Sequence, residues 1–279
     1  MSNVASIPTV ELHDGVEIPQ FGFGVFQVPP EITQKVVEEA LAAGYRHLDT
    51  AAVYGNEEGV GAAIAATGIP RGELFVTTKL WNSKQGYDST LHAHERSLER
   101  LRLDRVDLYL IHWPMPAEDR YLDTWRAFER LRGEGGTRSI GVSNFRVEEL
   151  ERLQAEAELK PSVNQIELHP RLQQAELRAW HAEHGVATEA WSPLAQGEVL
   201  AEEAIVTVAE NHGRTPAQAI LRWHLQLGNV VFPKSVTPER IRENIEVFDF
   251  ELEQDEIEAI AALDAGQRVG PDPTTFATQ

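Results

Sequence analysis

Short apolar runs alternate with stretches of helical periodicity along this chain, eight times over, and few architectures accept that rhythm. The runs cover residues 21–26, 45–49, 74–80, 106–111, 137–142, 162–166, 186–190 and 230–232. The run at 106–111, VDLYLI, is almost continuously apolar, as a strand covered on both faces must be. Between runs, Val36, Val37, Ala40 and Leu41 recur at helical spacing within 31–43, and Gly44 stops the pattern. Further helices are expected at 57–66, 89–101, 122–132, 147–156, 174–184, 201–211, 216–226, 238–245 and 254–263, with Asn56 capping the first of these. Strict alternation of such short strands with helices demands a parallel sheet. Eight repeats close it into an α/β fold of the (β/α)8 TIM-barrel type. His13-Asp14-Gly15, between alternating residues, adds an N-terminal β-hairpin, and some helices are extras to the repeat. Residues 1–279 are read as a single barrel domain, since barrels reach this length as one unit. An open doubly wound sheet is the alternative. It would carry a turn with a third glycine opening a helix, and neither the Gly22/Gly24 pair nor the Gly59/Gly61 pair has one.

Barrel chemistry sits at the carboxyl ends of the strands. Those ends read Asp49, Lys79, His112, Ser143 with Asn144, Gln165, Trp191 with Ser192, and Lys234 with Ser235. Strand ends are commonly polar because they meet solvent. Taken singly, Asp49 could be a helix cap, Lys79 a solvated end and His112 a core histidine. A carboxylate, an ammonium and an imidazole on consecutive strands, with Tyr54 close behind Asp49, form a set suited to handling protons.

The formal net charge of −19 disfavours nucleic acid and anionic membrane surfaces as partners. It leaves room for an anionic cofactor held by a few local cations. With no cysteine there is no disulfide frame and no thiolate metal site. His181 and His184 share a helix face without an evident third ligand, so no metal is expected. No run approaches the ~18 apolar residues of a membrane span, and the first residues lack a signal-peptide pattern. A soluble, cytoplasmic protein is the expectation.

The stretches RHLDTAAVYGNEEGVG, VTTKLWN, DLYLIHWP, SIGVSNF, NQIELHP, EAWSPLAQG and FPKSVTPERIRENI follow one another across nearly the whole chain. Together they resemble the aldo-keto reductase family, especially its shorter bacterial members of the 2,5-diketo-gluconate reductase kind. The resemblance implies NADPH-dependent reduction of aldehydes or ketones (α-keto carbonyls, diketones, keto-sugars) to alcohols. It implies a catalytic tetrad of Asp49, Tyr54, Lys79 and His112. In that scheme Tyr54 gives the proton. An unperturbed tyrosine has a pKa of about 10, and the Lys79 ammonium is expected to lower it. Asp49 holds Lys79 charged, and His112 hydrogen-bonds the substrate oxygen. The resemblance also implies Trp191 stacked on the nicotinamide, with Ser143, Asn144 and Gln165 at its carboxamide. Ser192, Leu194, Gln196 and Gly197 match a loop over the pyrophosphate. Lys234, Ser235, Val236, Arg240 and Asn244 match the segment for the adenosine 2′-phosphate and adenine. Glu239 and Glu243 share the helix of Arg240 and would repel that phosphate if turned inward. Phe23, Trp81, His112 and Trp113 are expected to line the substrate pocket beside Tyr54, with Phe276 of the tail closing one side. A monomer acting on a small carbonyl compound follows from the same resemblance. Relatives that serve as nucleotide-binding regulatory or structural proteins supply an alternative with little turnover.

Overall fold

The computed structural model describes residues 7–278. Strands β1 (Thr9–Glu11) and β2 (Glu17–Pro19) pair antiparallel around the Asp-Gly turn. Eight parallel strands follow among the described residues, each beside its neighbour in chain order. They are β3 (Phe23–Gly24), β4 (His47–Asp49), β5 (Phe75–Leu80), β6 (Val106–Ile111), β7 (Thr137–Ser143), β8 (Val163–Glu167), β9 (Ala187–Trp191) and β10 (Val230–Val231). The ring closes where Phe21 bridges Val231 in parallel. There the Val231 N–H donates to Gln20 O at 2.9 Å, and the Gly22 N–H to Val231 O at 2.8 Å. The sheet is thus a closed barrel rather than an open doubly wound sheet.

Helices α1 (Pro30–Ala43), α2 (Glu57–Ala66), α3 (Tyr87–Leu101), α4 (Tyr121–Gly133), α5 (Val147–Glu156) and α6 (Ala175–His184) cover the first part of the barrel. Helices α7 (Glu203–Asn211), α8 (Pro216–Gln226), α9 (Pro238–Ile245) and α10 (Gln254–Ala261) complete the outer layer. Local sequence explains their ends. Helix α1 starts on Pro30, where the missing N–H has no partner to lose. It buries Val36, Val37, Ala40 and Leu41, and stops at Gly44 with φ 109°, a left-handed turn that a Cβ would disfavour. Helix α8 starts on a reciprocal pair of bonds between Thr215 and Gln218. The expected cap at Asn56 is corrected. Its side chain makes no bond to α2. Instead its Nδ2 donates to Val25 O at 2.9 Å and Val28 O at 3.2 Å, while Oδ1 accepts from Thr50 Oγ1 at 3.0 Å. Asn56 therefore ties the chain after β3 to the chain after β4.

Side chains alternate between the barrel axis and the helices along each strand. Phe75, Leu108, Leu110, Val163 and Val230 pack with Leu12, Val16 and Ile18 of the hairpin, which plugs the amino-terminal end of the barrel. Tyr109 and Ile111 join the larger cluster beneath the helices. Carried upward from the plug, the inward parity falls on Thr77 and Lys79, on Gln165 and Glu167, and on Glu189 and Trp191. The interior is apolar at the bottom and polar at the top. Among the described residues no helix is long and apolar enough to cross a membrane.

Candidate active site

Lys79 has no solvent contact. Its Nζ donates to Asp49 Oδ1 at 2.6 Å and to Thr50 O at 2.9 Å, and lies 5.2 Å from the centre of the Tyr54 ring. Burial works against the ammonium, but the charge and hydrogen bond of Asp49 lead the influences that outweigh it and hold the Lys79 pKa above its ordinary value. Burial also pushes the Asp49 carboxyl up, against the downward pull of Lys79 and of the Gln165 amide.

Tyr54 stands on a single 3-10 turn, Ala52–Tyr54, directly after β4. Its ring meets the His112 imidazole edge-on at 5.8 Å, and His112 meets Trp81 at 5.3 Å. The four residues of the expected tetrad are therefore assembled from two strand ends, one strand and one turn. The expected downward shift of Tyr54 is corrected. Burial raises its pKa, Asp49 adds to the rise, and the charge and hydrogen bond of Lys79 offset only part of it. The side chain rests as a phenol, the form a proton donor needs. His112 is buried with its Nδ1 unpartnered. Burial and the Lys79 charge hold it well below the usual imidazole range, so it is neutral at neutral pH.

The opposite wall is a linked set of amides and an indole. Ser143 Oγ donates to Gln165 O at 2.9 Å. Asn144, left-handed at φ 64°, donates to His112 O and Ser143 Oγ at 3.0 Å each. Its Oδ1 accepts from Trp191 Nε1 at 2.8 Å, which locks the indole at the rim. Gln165 Nε2 donates to both Asp49 Oδ2 at 2.9 Å and Glu189 Oε2 at 2.8 Å. The structure thus brings Ser143, Asn144, Gln165 and Trp191 together around the tetrad.

Ser192, Leu194, Gln196 and Gly197 lie on the loop after β9, in which Ser192, Ala195 and Gln196 adopt left-handed conformations. Gln196 and Gly197 are exposed there. Past β10, Lys234 and Val236 are exposed, and Ser235 is buried, its Oγ accepting the Thr237 N–H at 3.1 Å. Arg240 is exposed in the first turn of α9, and Asn244 is buried one turn on. Among the described residues neither Lys234 nor Arg240 forms an ion pair; the neighbouring Arg242 takes Glu39 instead. Glu243 accepts from Thr215 Oγ1 at 3.0 Å, and Glu239 is exposed. Two uncommitted cations beside the opening N–H groups of α9 suit a phosphate. A partly exposed indole, fixed in place, suits a flat ring. The residues present therefore fit a phosphorylated dinucleotide.

The pocket over Tyr54 is aromatic. Phe276 lies 4.2 Å from the Trp113 ring and 6.3 Å from Trp81, and the tail is held by Asn82 Nδ2 donating to Thr278 O at 2.8 Å. The placement of Phe23 in this pocket is corrected. Phe23 is 1% exposed and packs edge-on against Tyr45 in the layer beneath the helices. The ring beside Tyr54 is Phe26, 50% exposed and 5.1 Å from it. Its signal was available, since it ends its apolar run much as Trp81 and Trp113 border theirs. Two inward acids were also missed. Glu167, at the end of β8, accepts from the Val269 N–H at 2.6 Å and the Gly270 N–H at 3.3 Å, anchoring the tail. A Cβ on Gly270 would come within 2.3 Å of the Trp191 ring, so only glycine lets the tail pass that close. Glu189 is the second. Each is the one acid of its strand, VNQIE and ATEAW, at an inward position.

Fold and site define a closed (β/α)8 barrel with a buried lysine–carboxylate pair, a phenol and a neutral imidazole at its carboxyl end. The Aldo/keto reductase family profile matches residues 20–265, and the chain belongs to that family. It is 58% identical over 269 residues to an aldo-keto reductase of Mycobacterium sp. (strain KMS), covering 96% of this chain and 98% of the relative. It is 55% identical to the glyoxal reductase of Bacillus subtilis, covering 95% and 96%. A variant of Gox0644 solved in complex with NADPH superposes with a TM-score of 0.94 at 50% identity, covering 97% of this chain and 99% of that one.

Proposed function

We propose that the protein reduces small aldehydes and ketones to alcohols, α-dicarbonyl compounds of the glyoxal type foremost, with Tyr54 as proton donor. The protein is an NADP-dependent carbonyl oxidoreductase, and its cofactor is NADPH. The observation that carries the mechanism is a fully buried Lys79 held between Asp49 and Tyr54.

NADPH supplies the hydride that the carbonyl carbon receives. Tyr54 gives its hydroxyl proton to the carbonyl oxygen, and the phenolate that results is stabilised by the Lys79 ammonium beside it. Asp49 keeps Lys79 protonated and in place. His112, neutral, donates one hydrogen bond to the same substrate oxygen; a well-placed donor of this kind contributes about 3–4 kcal/mol. Trp81, Trp113, Phe276 and Phe26 exclude water and give the substrate an apolar wall. On the cofactor side, Trp191 packs against the nicotinamide, with Ser143, Asn144 and Gln165 at its carboxamide. Ser192, Leu194, Gln196 and Gly197 cover the pyrophosphate. Lys234, Ser235, Val236, Arg240 and Asn244 hold the adenosine 2′-phosphate and adenine. The homologous glyoxal reductase, with the aromatic pocket, supports small dicarbonyls as the substrate class.

The test follows the absorbance of reduced nicotinamide with glyoxal, methylglyoxal, a diketone and a keto-sugar, ranked by kcat/KM. Tyr54→Phe is expected to lower kcat by about 100- to 10,000-fold, the range of a lost proton transfer, with NADPH affinity unchanged. A Tyr54→Phe protein turning over at the wild-type rate removes the acid assignment. NADPH binding with no oxidation of any compound would replace the enzyme reading with that of a nucleotide-binding protein.

A further inference from the structure

Glu189 has no part in the mechanism above, yet it is fully buried within the barrel. It faces the axis from β9, in register with Gln165 of β8. Its Oε2 accepts from Gln165 Nε2 at 2.8 Å, and the same nitrogen donates to Asp49 Oδ2 at 2.9 Å. A primary amide has two N–H donors and one carbonyl oxygen. Two carboxyl groups on one side engage both donors. Turning the amide over would set its oxygen against the Asp49 carboxylate, which only accepts, and leave the donors unmatched. The Gln165 carbonyl oxygen is therefore the atom left to receive a donor from a ligand.

The second Glu189 oxygen, Oε1, is buried without a partner. An ionised carboxylate would leave charge bare in that place. Burial, then the nearby Asp49 charge, push the Glu189 carboxyl up to about 8, against the Gln165 bond and the Lys79 charge. The neutral acid carries its proton on one oxygen and still offers the other to Gln165. It also leaves Asp49 as the counter-charge of Lys79.

We propose that Glu189 is a positioning residue for the cofactor: as a neutral acceptor it turns the Gln165 amide so that the Gln165 oxygen accepts from the nicotinamide carboxamide NH2 group. This rests on the placement of the nicotinamide beside Gln165 and adds what orients that amide.

The test is equilibrium binding, read as quenching of tryptophan fluorescence. It compares NADPH with its 3-acetylpyridine analogue, which keeps the carbonyl but has a methyl in place of the NH2. The wild type is expected to favour NADPH by about 10-fold, one hydrogen bond's worth. Glu189→Leu, with no acceptor, should bring that ratio close to one. Glu189→Gln, which keeps an acceptor oxygen, should retain it. Glu189→Ala repeats the comparison with room left at the site, and thermal melts verify that each variant is folded. A wild-type ratio in the folded leucine or alanine variant overturns the proposal. Loss of the ratio in Glu189→Gln as well assigns the effect to charge and overturns the neutral-acceptor role. Gln165→Leu separates this inference from the reading beneath it. If that variant keeps the ratio, Gln165 does not read the carboxamide and the placement itself falls. If it loses the ratio while Glu189→Leu keeps it, only the role of Glu189 falls.

Discussion

An ammonium without water needs every donor matched, and Lys79 has Asp49, the Thr50 carbonyl and Tyr54 around it. Its pair with Asp49 is buried on both sides, at 0% and 4% side-chain exposure. Breaking such a pair by removing one partner costs about 3–5 kcal/mol, because the other charge stays buried and bare. Asp49→Ala is therefore expected to lose stability by about that amount in urea unfolding, together with most turnover. Combining it with Lys79→Met should recover much of the stability and none of the activity. An unchanged unfolding midpoint in Asp49→Ala would show that something other than the carboxylate keeps Lys79 charged. The upward shift of Tyr54 belongs to the same scale. A lysine near a tyrosine in sequence logic points to a lowered pKa. The Lys79 charge does pull downward, but desolvation is the larger influence and carries the shift upward.

At the level of elements, the segment from β10 into α9 presents Lys234 and Arg240 with no carboxylate of their own among the described residues. Hydrogen bonds to a charged group contribute about 1.5–3 kcal/mol, so Arg240→Ala should weaken NADPH binding by about 10- to 100-fold. NADH, lacking the 2′-phosphate, should change by less than about threefold on the same reasoning. Equal losses for the two nucleotides, measured by titration, would place the phosphate elsewhere. The elements themselves were readable from the chain. Strands such as 106–111 are apolar because both faces are covered, and α1 and α6 stop where Gly44 and Gly185 turn left-handed. That double coverage also hides parity. A strand apolar on both sides does not declare which residues face the axis, and here the neighbours and the hairpin plug settle it. Phe23, in such a run, is expected in the pocket and packs under the helices instead. Asn56 looked like a cap because its position is right, but a carbonyl thirty-one residues away claims its amide.

For the molecule as a whole, buried titrating groups set opposing slopes of stability against pH. Burial takes His47, His181 and His224 from 6.5 down to about 3. Between those values the unfolded chain binds more protons than the folded one, so stability rises with pH and is lost on acidification. Glu189 runs the other way, raised from 4.5 to about 8. Across that window the folded state holds the extra proton, and stability declines as pH rises. Melting temperature should therefore peak inside the usual range of about pH 5–8. Glu189→Gln should flatten the alkaline side and steepen the rise between about pH 4.5 and 6.5, where the two windows overlap, leaving only the more acidic side as it was. An unaltered alkaline decline would clear Glu189 of responsibility for it. Barrel closure has a consequence on another clock. Phe21 meets Val231 only after nearly the whole barrel has been made. At about 5–20 residues per second of synthesis, the first strand waits roughly 10–40 s for its last partner. An unpaired strand edge invites pairing with other chains. Strand β3 is two residues long, with Gly22 before it against His47 and Gly24 within it against Phe232, so it offers a nascent neighbour little to grip. The close fit of the finished barrel thus also shortens the edge that a growing chain would present to its neighbours.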